Sequence, residues 1–155
     1  MLVSYVLSDS LAAFYYPQIE VKNPFEADVL IIGGSHAGLS AALTLVRHQI
    51  NVLIFDSSSP RNKWKTPTHT FPTWEHRNPD ELRRASRNEL KKSGLVRFLE
   101  TEITTVRKAV TDDDFFEVSD VQGRIWKGRK LLTSTGVEFV FPEIKGYGEN
   151  FPDRM

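Results

Sequence analysis

The chain has 155 residues, 40% of them hydrophobic, which is enough for one sizeable core and sets one domain as the starting expectation. Lys+Arg and Asp+Glu stand at 20 each, so the charge balance points to neither a nucleic-acid nor an acidic-membrane partner. With no cysteine, none of these residues can form a disulfide, a thiolate metal site or a redox-active dithiol.

Residues 1–27 begin with an apolar stretch, but no Lys or Arg precedes Lys22 and Asp9 interrupts the run. A secretory signal wants a basic start and a cleaner apolar centre, so the segment reads as an N-terminal extension. No stretch reaches the ~18–20 apolar residues of a membrane span, and a cytoplasmic location is the expectation. "DVLII" (28–32) is a nearly continuous apolar run, as in a strand covered on both faces of a parallel sheet. "SHAGLSAALTLVRHQ" follows as a helix whose Ala and Leu positions wrap most of its circumference. "NVLIF" (51–55) is a second buried strand, which completes a right-handed βαβ unit.

Residues 57–78 hold Pro60, Pro67 and Pro72, which forbid a long regular element, and a loop of this length is usually functional or mobile. Asn78 then caps a helix with Pro79 at its first position and Glu81 at its third, running to Ser93 with Gly94 as its stop. The basic runs "RNKWK" and "LRRASRNELKK" read as solvated loop and helix faces. "LVRFLE" (95–100) is a third strand. "EITTVRKAV", "DFFEVSD" and "GRIWKG" alternate and are broken by "DDD" and "QG", so they read as a small antiparallel flap. "KLLTSTGV" (130–137) returns as a further buried strand. The expected architecture is α/β of dinucleotide-binding type: a parallel sheet with helices on both faces plus that flap. Its domain spans 28–142, followed by an aperiodic tail over 143–155.

The chemistry centres on "GGSHAG". A dinucleotide turn needs small residues for the tight bend, for backbone approach to the pyrophosphate, and for helix–strand packing. Gly33, Ser35 and Gly38 occupy those positions, with Ser35 a departure from glycine that Gly34 offsets by keeping the turn permissive. Backbone N–H groups at 34–38 then face phosphates at the helix N-terminus. Asp56, ending the second strand, is placed for an adenosine ribose. A merely glycine-rich structural turn is the alternative, which the flanking strand, helix and carboxylate disfavour. A P-loop is excluded because no Lys-Ser/Thr follows the glycines. The four histidines, at 36, 48, 69 and 76, show no spacing such as HExxH, so no metal site is expected. His36 and His69 are the candidate acid–base residues, against a plain turn or packing role for each. Trp64 and Trp74 could wall a cleft or simply pack.

"DVLIIGGSHAGLSAAL", "IFDSSSPRN", "THTF", "NPDELRR" and "KLLTSTGVEFVFPEIKGYGE" together resemble the N-terminal flavin-binding part of thioredoxin-reductase-like flavoproteins. These are class-II pyridine nucleotide-disulfide oxidoreductases, and the likeness is to the fungal branch associated with secondary-metabolite clusters, which includes dithiol oxidases. The resemblance implies a Rossmann-like FAD-binding domain with FAD as cofactor. It assigns the pyrophosphate to Gly33, Gly34, Ser35, His36, Ala37 and Gly38, the ribose to Asp56, and the adenosine side to Arg61 and Asn62. Thr68, His69 and Thr70 would lie along the flavin, Ile103 would touch the adenine, and Thr135 with Gly136 would close over the cofactor. In that family a C-x-x-C pair within a nicotinamide-binding domain follows a segment like "KGYGENFPDRM". By that comparison the chain is truncated, without the dithiol, a second glycine fingerprint or the segment that completes the flavin site.

Three functions follow as expectations. One is a FAD-dependent oxidoreductase acting on a small molecule, its site completed by a second copy or another chain. Another is a non-redox binding or cyclisation protein on a reused fold. The third is an inactive truncated fragment.

Overall fold

A computed structural model describes residues 26–61, 67–109, 114–138 and 140–150 of the protein. Its elements are β1 (Ala27–Ile32), α1 (His36–Arg47), β2 (Val52–Asp56), α2 (Pro79–Lys91), β3 (Val96–Glu100), β4 (Ile103–Ala109), β5 (Phe115–Asp120), β6 (Ile125–Thr133) and the single turn α3 (Tyr147–Asn150). Most of the N-terminal extension, Asn62, Trp64 and the last residues of the tail lie outside the described residues.

The strands form one six-stranded sheet in the order β3-β2-β1-β6-β5-β4. β3, β2, β1 and β6 run parallel, whereas β5 and β4 are antiparallel additions beyond β6. β6 corrects the sequence expectation that "GRIWKG" and "KLLTSTGV" are separate strands. It is one strand whose first half pairs with β5, from Ile125 to Gly128, and whose second half pairs with β1, from Gly128 to Thr133. Gly128 faces Phe116 on one side and Ala27 on the other. A Cβ there would stand 2.5 Å from Leu30 Cγ, so the glycine lets Leu30 settle over the strand where it changes partner. The flap is therefore a continuation of the main sheet.

Two apolar clusters divide the core. Val29, Ile31, Val52, Ile54 and Val96 turn one way and meet Leu39 and Ala42 of α1 and Leu90 of α2. Leu30, Leu53 and Phe55 turn the other way and meet Val118 of β5 and Trp126 of β6, with Phe55 and Trp126 edge to face at 5.2 Å. Alternation along buried strands sends successive side chains to opposite faces, so each face needs its own cover. Among the described residues both long helices cover the first face, and the antiparallel strands cover the second. Helix cover on both faces was expected; the β5–β6 arm takes that place.

α2 begins as expected. Asn78 Oδ1 accepts the Asp80 N–H at 2.8 Å, and Pro79 occupies the first position. Glu81 pairs with Arg77 at 3.7 Å. No helix among the described residues is long and apolar enough to cross a membrane.

The antiparallel arm is fastened to the parallel half by a buried carboxylate. Asp120 Oδ1 accepts the backbone N–H groups of Gln122 and Arg124 at 3.0 and 2.9 Å. Its Oδ2 accepts the Thr101 hydroxyl at 3.0 Å and Arg124 Nε at 2.8 Å. The Thr101 N–H meanwhile donates to the Asp56 carbonyl at 3.0 Å, so this link ends beside the carboxyl end of β2. Burial works against ionisation of Asp120, but the bonds from Arg124, Thr101 and Gln122 outweigh it and hold the carboxyl below its ordinary range. A carboxylate whose pKa is lowered by folding stabilises the fold above its unfolded value, and the gain disappears as pH falls through the folded one. Urea midpoints should therefore fall steeply below about pH 4. Asp120→Asn should flatten that acid limb, and parallel curves for the two proteins would remove Asp120 from the explanation.

Candidate functional site

The carboxyl ends of β1, β2 and β6 open into a cleft of about 540 Å³. The chain leaves β1 toward α1 and β2 on one side while β6 lies on the other, so the cleft sits where the strand order reverses. That is the general ligand position of open α/β sheets. Its lining brings together three distant segments: Gly33 to Ala37, Asp56 to Arg61, and Ser134 to Val137, with Thr101, Glu102 and Ile103 forming a fourth wall.

The first wall is shaped by close backbone approach. Gly33 has φ +108, and a Cβ on it would lie 2.3 Å from the Ser134 carbonyl oxygen. A Cβ on Gly38 would lie 2.0 Å from the Gly33 carbonyl oxygen, which is why α1 can start so close to β1. Ser35 is the N-cap of α1 with extended backbone, and its side chain makes no capping bond. The N–H groups of the following residues are thus the free donors of the helix start, and the first turn carries no acidic residue to compete for them. The Ser35 hydroxyl remains beside them, so the departure from glycine adds a donor at the mouth of the turn.

The second wall is organised by charge. Asp56 Oδ1 accepts the Ser58 N–H at 3.0 Å, and Oδ2 receives Arg87 Nη2 of α2 at 2.5 Å. Arg87 also reaches Glu100 at 3.5 Å and lies over the Phe98 ring at 5.0 Å. The helix face expected to be solvated is in part an inner one, since the Arg83 and Arg87 side chains are only 11% and 21% exposed. The Asp56 carboxyl is pressed on the opposite side against Gly34, where a Cβ would meet its Cγ at 2.7 Å. Each carboxylate oxygen keeps acceptor capacity beyond these bonds.

The third wall is held by Ser134, which stands one residue before Thr135-Gly136. Its N–H donates to the Ile32 carbonyl at 2.8 Å. Its hydroxyl lies 3.0 Å from that oxygen and 2.9 Å from the Gly33 carbonyl. Ser134→Ala should lower stability by about 1 kcal/mol, seen as a melting shift of about 3 °C in thermal unfolding. An unchanged melting temperature would mean that this hydroxyl does not hold the turn.

Gly33, Gly34, Ser35, His36, Ala37, Asp56, Arg61, Ile103, Thr135 and Gly136 all line the cleft. Gly38 stands behind it as packing, and Asn62 lies outside the described residues. The pKa of His36 is lowered, first by burial and then by the positive charge of Arg83, which favours the neutral imidazole at physiological pH. His69 is not among the lining residues. Backbone pairing of Thr68 with His76 and Arg77 turns the loop back on itself, and His69 faces Glu75 instead. Phe71 and Trp74 of that loop border an apolar groove with Leu39, Leu43, Leu82 and Leu90. Thr101, Glu102 and Ser134 were not singled out as site residues by the sequence. Only the "STG" tripeptide hinted at Ser134, and nothing local marked the other two.

A glycine turn at a helix start, a carboxylate closing the second strand and a Thr-Gly closing a fourth define a dinucleotide-binding domain. The family model described as pyridine nucleotide-disulphide oxidoreductase matches residues 27–154, and the chain belongs to that family. It is 40% identical over 128 residues to "Thioredoxin reductase aclD" of Aspergillus oryzae, covering 81% of this chain and 40% of that protein. It is 41% identical over 124 residues to "Thioredoxin reductase sirT" of Leptosphaeria maculans, covering 79% and 37%. The chain therefore spans about two-fifths of the length of these relatives. Among solved structures, HlmI superposes with a TM-score of 0.75 at 31% identity, over 80% of this chain and 39% of that one. An oxidoreductase from Agrobacterium tumefaciens gives 0.74 at 32%, over 80% and 41%. The resemblance to fungal thioredoxin reductases and the Rossmann-like architecture both hold.

Proposed function

We propose that this chain is the FAD-binding part of a thioredoxin-reductase-type oxidoreductase that acts on a small molecule in fungal secondary metabolism. The observation that supports this most is the convergence of Gly33–Ala37, Asp56 and Thr135-Gly136 on one cleft of about 540 Å³. That size suits a nucleotide ligand. The free N–H groups at the start of α1 would bind the pyrophosphate, with Gly33 and Gly38 keeping Cβ atoms out of its way. Asp56, fixed by Arg87 and Ser58, would take the ribose hydroxyls on its remaining lone pairs. Arg61 and Ile103 would flank the adenosine, with Asn62 assigned there by family likeness, and Thr135-Gly136 would close the other side. Bound FAD would supply the two-electron chemistry, while these residues bind, orient and shield it. A dithiol and a nicotinamide site would then come from residues beyond these 155 or from a second chain, since no cysteine is present here.

One fold hosts many chemistries, so the second reading is a non-redox binding or cyclisation protein on the same scaffold. Incubating purified protein with FAD, desalting it and recording the visible spectrum tests the first proposal. A yellow protein with quenched flavin fluorescence is expected, and colourless protein that leaves all the flavin free would end it. NADPH reduction of the bound flavin, with and without a partner chain, then separates an oxidoreductase from a non-redox protein.

A further inference from the structure

The loop joining β2 to α2 holds a side-chain cluster that does not line the cleft. Thr68 N–H donates to the Arg77 carbonyl at 2.8 Å, and His76 N–H donates to the Thr68 carbonyl at 2.8 Å. This short backbone ladder sets His69 beside His76, their rings edge to face with centroids 4.9 Å apart. Thr70, Thr73 and His76 take φ of 59°, 68° and 58°, a left-handed region uncommon for residues with a Cβ, and these bends bring Glu75 back to both imidazoles. Glu75 Oε1 lies 3.0 Å from His69 Nδ1 and 3.6 Å from His76 Nε2. Its Oε2 is held separately by the Thr70 N–H at 2.7 Å.

We propose that His69 Nδ1, Glu75 Oε1 and His76 Nε2 bind a divalent first-row transition cation such as zinc or cobalt. Two imidazoles and one carboxylate, with open positions left over, form a donor set suited to these ions. Metal–ligand bonds of about 2.0–2.2 Å place neighbouring donors about 3–3.5 Å apart. One ring nitrogen from each histidine and one carboxylate oxygen of Glu75 lie within 4.8 Å of one another. Two of the separations, at 3.0 and 3.6 Å, are already close to the required value. The third closes by rotation of the His69 and His76 side chains, which are 54% and 74% exposed and can move without repacking a core. The neighbouring cation, Arg77, is engaged elsewhere, over the Trp74 ring at 4.0 Å and with Glu81 at 3.7 Å. A bound ion would add a cross-link to the loop whose Phe71 and Trp74 border the groove between α1 and α2.

The test uses tag-free full chain, with Zn²⁺ followed by calorimetry and Co²⁺ by its visible absorption. One equivalent should bind. His69→Ala and His76→Ala should each weaken binding at least about tenfold, since losing even an outer partner of a metal ligand costs that much. The double variant should bind none, and His48→Ala at the far end of α1 should bind as wild type. Equal affinity in wild type and double variant, or no stoichiometric binding by wild type, overturns the proposal. A second measurement needs no variant: Co²⁺ should shift the ring proton resonances of His69 and His76 and leave those of His48 in place. Unshifted His69 and His76 signals overturn it as well. No flavin is needed in either experiment, so the outcome stands apart from the cofactor reading.

Discussion

Gly33→Ala should be the most damaging single methyl addition in this chain. Its Cβ would enter at 2.3 Å from the Ser134 carbonyl oxygen, a backbone atom that no rotamer change can move aside. Overpacking costs about 1–3 kcal/mol, and forcing a Cβ-bearing residue to φ +108 adds about 1–3 more. At about 3 °C per kcal/mol for a chain of this size, the melting temperature should fall by about 6–18 °C, with FAD binding lost alongside it. Gly38→Ala isolates the packing part, because no left-handed φ is involved there and its Cβ would meet the Gly33 carbonyl oxygen at 2.0 Å. Gly123→Ala isolates the backbone part: φ is +75, with nothing within 4 Å of the added carbon. The expected order of damage is Gly33, then Gly38, then Gly123. Differential scanning calorimetry reads it, and an equal loss at Gly123 and Gly33 would show that the close approach to Ser134 contributes nothing.

Asp56→Ala should have the second large effect, on the ligand more than on the fold. The change removes an acceptor from the cleft and strands Arg87, whose remaining carboxylate partner, Glu100, lies 3.5 Å away. Hydrogen bonds to a charged group are worth about 1.5–3 kcal/mol, so FAD should bind about 10- to 100-fold more weakly. Arg87→Met makes the comparison informative. It keeps the carboxylate but removes the 2.5 Å bond that aims it, so affinity should drop by a smaller factor while the melting temperature falls by a few degrees. Fluorescence-quenching titrations of the three proteins measure the affinities, and thermal unfolding measures the melting shift. If Asp56→Ala binds FAD as tightly as wild type, the carboxylate serves only to join β2 to α2, and the ribose assignment fails.

Much of this domain was legible in the order of residues. Continuous apolar runs at 28–32 and 51–55 give strands buried on two faces. Asn78-Pro79 gives a helix start, and the small residues between 33 and 38 give a tight turn. Each depends on interactions within a few residues, and these are the interactions that composition and spacing encode. The cleft's first two walls were legible for the same reason, because the turn and Asp56 belong to one βαβ unit.

What the tertiary structure alone decided is how distant segments meet. Alternation in "GRIWKG" and "KLLTSTGV" cannot say that they are one strand serving two neighbours; that depends on which partners lie either side of Gly128. Thr101 and Asp120 look like ordinary polar strand ends until the sheet's two halves close and bury them together. Arg87 looks like a solvated helix residue until α2 packs beside β2 and sets it against Asp56. His69, Glu75 and His76 follow no helical metal spacing, because a loop ladder rather than a helix turn makes them neighbours. The physical reason is common to all four cases. Periodicity reports which side of its own element a residue faces, whereas a partner on another element is chosen by packing, and packing is a property of the whole folded chain.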